Sequence, residues 1–488
     1  MTELFDSATL ASFGVQNNQI VCNSGETLTV LAIARVLPNQ RLVCKCLLKA
    51  NEVYAKIFIG LRANTHAARE ASGTKLLFSA NILTPKLLLE TTTNNQPVII
   101  YEAIENAINA EDFMHQHDFF ARQDMAKKLV KTVAQHHNAN LLQTDIHLKN
   151  FLISGEKVYT IDGDGIQATN SLSQKQHNLA TLLSKLDVLD NDFMQATVEA
   201  YYVAINEKFT LSQLLKIGQL MQKIRLKSAS NYADKKVFRQ CSDVNVIGLK
   251  GLFCAASSRA NINIPNNMAE LDALILPQNL LKNGNTCTVA LGKIDSQQVV
   301  IKRYNIKNIW HAVGRAFRQS RAAKSWANAH RLIFFGISTA APIALIEQRN
   351  FSFIFGGLRG KAYFLSEYID APDVTEYFAQ TQHKTERAEV VKNIVTLFYK
   401  LYLLQISHGD MKSTNIKIQA SQPVLIDLDS MRQHDFAALA LKAHAHDLRR
   451  FMRNWQHSNA LYNTFVKAFK VVYADNAPLK LAEIEQNK

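Results

Sequence analysis

Three polar side chains, Asp410, Asn415 and Asp427, stand five and then twelve residues apart, and Asp145, Asn150 and Asp162 repeat that spacing 265 residues earlier. Phosphoryl transfer asks little covalent chemistry of a protein. It needs a carboxylate to align an acceptor hydroxyl and take its proton, a lysine on the nucleotide phosphates, and oxygen ligands for a divalent metal. The stretch His408-Gly409-Asp410-Met411-Lys412-Ser413-Thr414-Asn415-Ile416, followed by Val424-Leu425-Ile426-Asp427-Leu428-Asp429, offers Asp410 as the carboxylate and Asn415 and Asp427 as metal ligands. Asp145, Asn150 and Asp162 offer the same set in the first half. The interval from Asn415 to Asp427 suits a short hairpin, Ile416 to Ile418 outward and Val424 to Ile426 back, which returns both metal ligands to one mouth.

The elements that must position these groups follow one order in each half. In the second, Cys287-Thr288-Val289-Ala290-Leu291 and Val299-Val300-Ile301-Lys302 read as strands of a hairpin turning at Asp295 and Ser296, with Lys302 directed at the phosphates. A basic helical stretch follows, then Gly336-Ile337-Ser338-Thr339 and a strand ending Tyr363-Phe364-Leu365-Ser366-Glu367-Tyr368. Val391, Ile394, Val395, Phe398 and Tyr402 mark one face of the long helix that delivers the chain to His408. The first half answers with the lysine strand Val53-Tyr54-Ala55-Lys56-Ile57-Phe58, the segment Asn81-Ile82-Leu83-Thr84-Pro85, the strand Pro97-Val98-Ile99-Ile100-Tyr101-Glu102, and Leu129, Val130 and Val133 on the helix leading to Asp145. A helical region from about Asp192 to Lys227 completes it. The expected fold is α+β: two bilobal units in tandem, each a small β-rich lobe followed by a helical lobe. At 488 residues the chain exceeds the usual size of one hydrophobic core. The best linker, Asn261-Ile262-Asn263-Ile264-Pro265-Asn266-Asn267, divides it into residues 1–260 and 261–488.

A hydrophobic fraction of 47% with 20% charged residues is that of a folded globular protein rather than a disordered one. No apolar run reaches membrane-spanning length, and the start Met1-Thr2-Glu3-Leu4-Phe5-Asp6 lacks the basic-then-apolar order of a signal, so a cytoplasmic setting is expected. The six cysteines, Cys22, Cys44, Cys46, Cys241, Cys254 and Cys287, form no C-x-x-C pair and are expected to be reduced and structural. A formal charge of +14 favours acidic partners: phospholipid head groups, phosphorylated glycans or nucleic acid. The densest basic stretch carries Lys302, Arg303, Lys307, Arg315, Arg318, Arg321, Lys324 and Arg331 with no acidic residue between them. At helical spacing Ile309, Trp310, Val313 and Phe317 fall on one side of it. That pattern fits either an anionic membrane interface or a solvated helix packed on its own small lobe.

The second half resembles the Kdo/WaaP-type lipopolysaccharide kinases, relatives of the protein-kinase fold, over about residues 275 to 460. The matching stretches are Leu281-Lys282-Asn283-Gly284-Asn285-Thr286-Cys287-Thr288-Val289, Val300-Ile301-Lys302-Arg303-Tyr304-Asn305, Gly336-Ile337-Ser338-Thr339, His408-Gly409-Asp410, Asn415, Ile426-Asp427 and His446-Asp447-Leu448-Arg449-Arg450. The resemblance implies tandem protein-kinase-like units using ATP and Mg2+, or Mn2+, to phosphorylate an inner-core sugar of lipopolysaccharide, heptose or Kdo, at the cytoplasmic membrane face. Asp410 and Asp145 are then the catalytic candidates. Lys302, Lys56, Glu70, Gly284, Glu367 and Glu102 would serve the nucleotide, and Asn415, Asp427, Asn150 and Asp162 the metal.

Each unit departs from this pattern. Aligning Leu332 with Leu77 sets Ser325 opposite Glu70, so the glutamate that holds the lysine in such kinases stands only in the first unit. The first unit has Gln143 where the second has His408, Asn178 near the place of Asp447, and Pro38-Asn39-Gln40-Arg41 where a glycine-bearing phosphate loop would lie. Neither has a full G-x-G-x-x-G, the second offering only Gly284. Asp164 and Asp429, each two residues past a metal candidate, read as turn residues ahead of a supporting carboxylate. A tandem pseudokinase serving as nucleotide-binding scaffold or regulator is the alternative from another class. A protein Ser/Thr kinase ranks lower for want of an Ala-Pro-Glu-like close, and nucleic-acid binding ranks last because no reader motif accompanies the charge.

Overall fold

The computed structural model describes residues 13, 15, 17–37, 39–249, 251–260, 262–265, 267–284, 286–304, 319–349, 359–473 and 476–484. The chain forms two compact units, Met1–Arg225 and Leu226–Lys488.

In the first unit six strands, β1 (Gln19–Val21), β2 (Thr27–Leu37), β3 (Arg41–Leu48), β4 (Asn51–Phe58), β5 (Leu87–Thr93) and β6 (Gln96–Glu102), make one antiparallel sheet in the order β1-β2-β3-β4-β6-β5. Alternation along β3 and β4 sends Leu42, Cys44, Cys46, Val53, Ala55 and Ile57 into the sheet's core, which leaves Lys56 on the opposite face. Helix α1 (Ala63–Ser79) packs on that face through Ala63, Ala67 and Ala71. The helical part begins with α2 (Phe119–Asn138), where Leu129, Val130 and Val133 are buried as the periodicity requires. Strands β7 (Phe151–Ser154) and β8 (Lys157–Thr160) form the hairpin between Asn150 and Asp162. Helices α3 (Leu172–Leu183) and α4 (Met194–Ala204) follow, and then α5 (Leu211–Asp234), within which the division between the units falls.

The second unit opens earlier than residue 261. Strands β9 (Val244–Leu249) and β10 (Leu252–Ser257) are hydrogen-bonded into a seven-stranded sheet with β11 (Leu280–Asn283), β12 (Cys287–Ile294) and β13 (Gln297–Tyr304), in an order completed by β14 (Pro342–Arg349) and β15 (Arg359–Glu367): β9-β10-β14-β15-β13-β12-β11. Ile262 and Ile264 of the expected linker pack against the core of this sheet. The division into compact units falls between Arg225 and Leu226, tens of residues before the expected boundary near residue 260.

Helix α6 (Arg321–Phe334) starts where the Ser320 hydroxyl accepts the amide of Ala323, and ends before Gly336 at φ +65°. Ile309, Trp310, Val313, Arg315, Phe317 and Arg318, the heart of the expected basic amphipathic helix, lie outside the described residues. In the helical lobe α7 (Lys384–Leu403) buries Val391, Ile394, Val395 and Phe398. Hairpin β16 (Ile416–Gln419) and β17 (Gln422–Leu425) follows as expected, then α8 (Ala437–Met452) and α9 (Asn459–Val472). The rings of Phe398, Phe451, Phe465 and Phe469 meet edge-on or tilted between these helices, with neighbouring centroids 5.0 to 6.4 Å apart.

The repeat is exact enough to compare bond by bond. Ile82 N donates to Leu77 O at 3.0 Å and Ile337 N to Leu332 O at 2.9 Å; Thr160 N donates to Leu83 O at 2.8 Å and Leu425 N to Ser338 O at 3.0 Å. Among the described residues no helix is long and apolar enough to cross a membrane, and all six cysteines are free.

Candidate active sites

In both units the loop after the long helix is set by backbone bonds. Asn415 Nδ2 donates to Asp410 O at 2.8 Å, and Asn150 Nδ2 donates to Asp145 O at the same 2.8 Å. Holding the amide nitrogen in this way turns the amide oxygen away from that carbonyl, as a metal ligand needs. The residue two before each aspartate ties the loop to the hairpin: His408 Nε2 donates to Ile426 O at 3.0 Å, and Gln143 Nε2 donates to Ile161 O at 2.7 Å. An amide thus replaces an imidazole without losing the bond. Asp427 and Asp162 follow at φ +62° and +72°, a left-handed backbone sparsely used by residues with a Cβ.

The units differ behind that loop. Asp447 on α8 accepts the amides of His408 at 2.6 Å and Gly409 at 3.0 Å. Burial raises its carboxyl to about 7 against the lowering effect of those two bonds. Asn178, its counterpart on α3, reverses the direction: its Nδ2 donates to Gln143 O at 2.7 Å. One turn past Asp447, Arg450 forms an ion pair with Asp410, whose other oxygen lies 3.9 Å from Lys412 Nζ. Three residues past Asn178 stands Thr181, whose hydroxyl bonds its own helix at His177 O.

The lysines make different pairs. In the first unit Lys56 is bonded to Glu70, a residue of α1 with 1% of its side chain exposed. Glu70 is held further by the Tyr101 hydroxyl at 3.1 Å and the Asp164 amide at 3.1 Å. Lys56 also stands 3.6 Å from Asp162, and Arg41 Nη1 lies 3.1 Å from that same Asp162 Oδ1. Burial alone would raise the Asp162 carboxyl, but Lys56 and Arg41 outweigh it and hold it down at about 2. In the second unit Lys302 Nζ donates to Asp427 Oδ1 at 2.5 Å. Ser325 occupies the place of Glu70 and meets the Tyr304 hydroxyl at 3.1 Å. Burial favours neutral Lys302, yet Tyr304 and Asp427 push its pKa up. Burial likewise works against the Asp427 charge, and Lys302 brings that carboxyl down.

The remaining candidates lie at turns and strand ends. Gly284 closes a tight turn, its amide donating to Cys287 O at 3.1 Å and its carbonyl accepting from Cys287 N at 3.2 Å. Glu102 and Glu367 end β6 and β15, where the chain leaves each sheet; Glu102 Oε1 accepts the Lys86 amide at 2.9 Å. Asp164 and Asp429 are turn residues that also brace the helix, Asp164 against His66 at 2.9 Å and Arg69 at 3.0 Å, and Asp429 against Arg321. Arg41, Arg321 and Arg450 are the cations to which the sequence assigned no site role, although Arg41 stood in the loop expected to carry glycine, Arg321 in the basic stretch and Arg450 in the stretch His446 to Arg450.

Two bilobal units, each setting a strand lysine against an aspartate that closes a hairpin begun by Asp-x4-Asn, define a phosphotransferase of the kinase class. A model described as the lipopolysaccharide kinase (Kdo/WaaP) family matches residues 52–204 and 278–473, well over half of the chain. The chain belongs to that family. Among solved structures it is similar to WaaP in complex with acyl carrier protein, with a TM-score of 0.33 and 16% identity over 41% of this chain and 88% of that one. It is also similar to vaccinia related kinase 3, with a TM-score of 0.25 and 8% identity over 33% of this chain and 55% of that one. A search of curated proteins finds no match.

Proposed function

We propose that this chain transfers the γ-phosphoryl group of ATP to a hydroxyl of a lipopolysaccharide inner-core sugar, heptose or Kdo, at the cytoplasmic face of the membrane. The observation that carries the reading is the second unit's cluster, in which Lys302 is bonded to Asp427, Asn415 Nδ2 to the Asp410 carbonyl, and the amide of Ile426, next to Asp427, to the Asn415 carbonyl. Asp410 aligns the acceptor hydroxyl and takes its proton while the hydroxyl oxygen bonds the γ-phosphorus and ADP departs with the bridging oxygen. Lys302 holds the nucleotide phosphates. The carboxylate of Asp427 and the amide oxygen of Asn415 form an all-oxygen donor pair suited to Mg2+, with Mn2+ as a substitute; when bound, such an ion neutralises phosphate charge. Arg450 and Lys412 flank Asp410 with positive charge, which suits an acceptor that is itself anionic.

The test is ATP turnover by the purified chain with and without deacylated lipopolysaccharide core. Glycan-stimulated turnover lost in Asp410→Ala is the expected result. Nucleotide binding without turnover on any core glycan would move the reading to a tandem pseudokinase, which Ser325 in place of a glutamate and the direct contact of Lys302 with Asp427 favour.

A further inference from the structure

Strand register identifies the residue that separates the two sites. In the first unit Val43 pairs with Lys56 and Arg41 with Phe58; in the second Val289 pairs with Lys302 and Cys287 with Tyr304. Arg41 and Cys287 therefore occupy the same position, two residues before the partner of the lysine and on the same face of the sheet. Glu70 and Ser325 are likewise equivalent. Relative to the second unit, the first has gained an arginine and a glutamate together.

The gained arginine faces the metal aspartate. Arg41 Nη1 is 3.1 Å from Asp162 Oδ1 and 4.0 Å from Glu70 Oε2, with 13% of its side chain exposed. Lys56 contacts the same two carboxylates. The cluster Arg41, Lys56, Glu70 and Asp162 is charge-balanced, two cations on two anions, in a largely buried place where Coulomb interactions are strong. A divalent ion at Asp162 would have to displace Arg41 from its nearer carboxylate and leave the largely buried guanidinium with only Glu70, at 4.0 Å. The second unit has neither Arg41 nor Glu70. Its Asp427 is bonded to Lys302, and the position of Arg41 holds the uncharged thiol of Cys287.

We propose that the first unit is a metal-refusing site in which Arg41 takes the place of the divalent cation on Asp162, so that metal-dependent nucleotide binding belongs to the second unit alone. This rests on the phosphotransferase reading above and assigns that activity to Asp410, Asn415, Asp427 and Lys302. The experiment counts nucleotide bound per full-length chain, using the non-hydrolysable analogue adenylyl imidodiphosphate with Mn2+, less the amount bound with chelator. The expected count is one for the wild type, none for Asp427→Asn and two for Arg41→Gln, since glutamine removes the charge but keeps much of the stem. A wild-type count of two overturns the proposal. So does a single site that survives Asp427→Asn, or a count of one in folded Arg41→Gln. Should Arg41→Gln fail to fold, the wild-type count and its response to Asp427→Asn decide the matter. A wild-type count of none overturns the phosphotransferase reading itself, which separates the two failures.

Discussion

Single side chains account for most of what distinguishes the two sites, and two of them give opposite responses to pH. Asp162 is held at about 2, below its ordinary value near 4, so the stability it lends is present above pH 4 and lost as pH falls toward 2. That contribution is about 2 kcal/mol. Asp162→Asn is expected to weaken the protein at neutral pH and to flatten this acid limb, read from melting temperatures between pH 2 and 5; an unchanged acid limb would refute the pairing. Asp447 is raised to about 7, so its contribution is full below pH 4 and is lost as pH rises through 7. The melting temperature of Asp447→Asn relative to wild type should therefore climb from pH 5 to 8. Gln143 and His408 show how such differences hide in a sequence: two chemically unlike residues make the same bond to the carbonyl before Asp162 and Asp427.

At the level of elements, the helix that faces the lysine is fixed to the aspartate turn by opposite devices. In the first unit glycine permits contact: a Cβ on Gly73 would meet Gly163 O at 2.0 Å, and one on Gly163 would meet Glu70 O at 2.2 Å. In the second, Asn328, equivalent to Gly73 in the alignment of Leu77 with Leu332, bridges the gap by donating to Leu428 O at 2.8 Å and Met431 O at 2.9 Å. Gly73→Ala should force α1 away from the turn and cost about 1 to 3 kcal/mol. Asn328→Ala leaves two carbonyls without their partner and should cost about 2 to 4 kcal/mol. Denaturant melts of the two variants check both, and loss of less than about 0.5 kcal/mol in either would show that the helix is held elsewhere. The order of strands, helix and hairpin was legible from periodicity. The strut was not, because Gly73 and Asn328 solve one packing problem with unrelated chemistry.

For the molecule as a whole, the surplus of 14 positive charges is the property that bears on where it works. An anionic membrane surface attracts such a chain over a Debye length, about 30 Å at 0.01 M salt and about 8 Å at 0.15 M. Sedimentation with vesicles is expected to show binding to anionic lipid that weakens across that salt range, and little binding to neutral lipid. Binding indifferent to salt would refute an electrostatic attachment. The division of the chain is also a whole-molecule property. Asn261 to Asn267 look like a loop by their asparagines, and Ile262 and Ile264 among them are half-buried against the core of the sheet.

The sequence by itself determined the repeat, the kinase-like order of elements and the polar residues at each mouth, because these depend on spacing along the chain and on period-2 and period-3.6 burial. It also fixed Ser325 as the residue facing where Glu70 would be. The pair of Lys56 with Glu70 is also expected from the resemblance; only the tertiary structure decided the other three, Arg41 on Asp162, Lys302 on Asp427 and Arg450 on Asp410. Arg41 and Asp162 lie 121 residues apart and Lys302 and Asp427 125. Ion pairing follows distance in space, which strand register and helix packing set and no local pattern records.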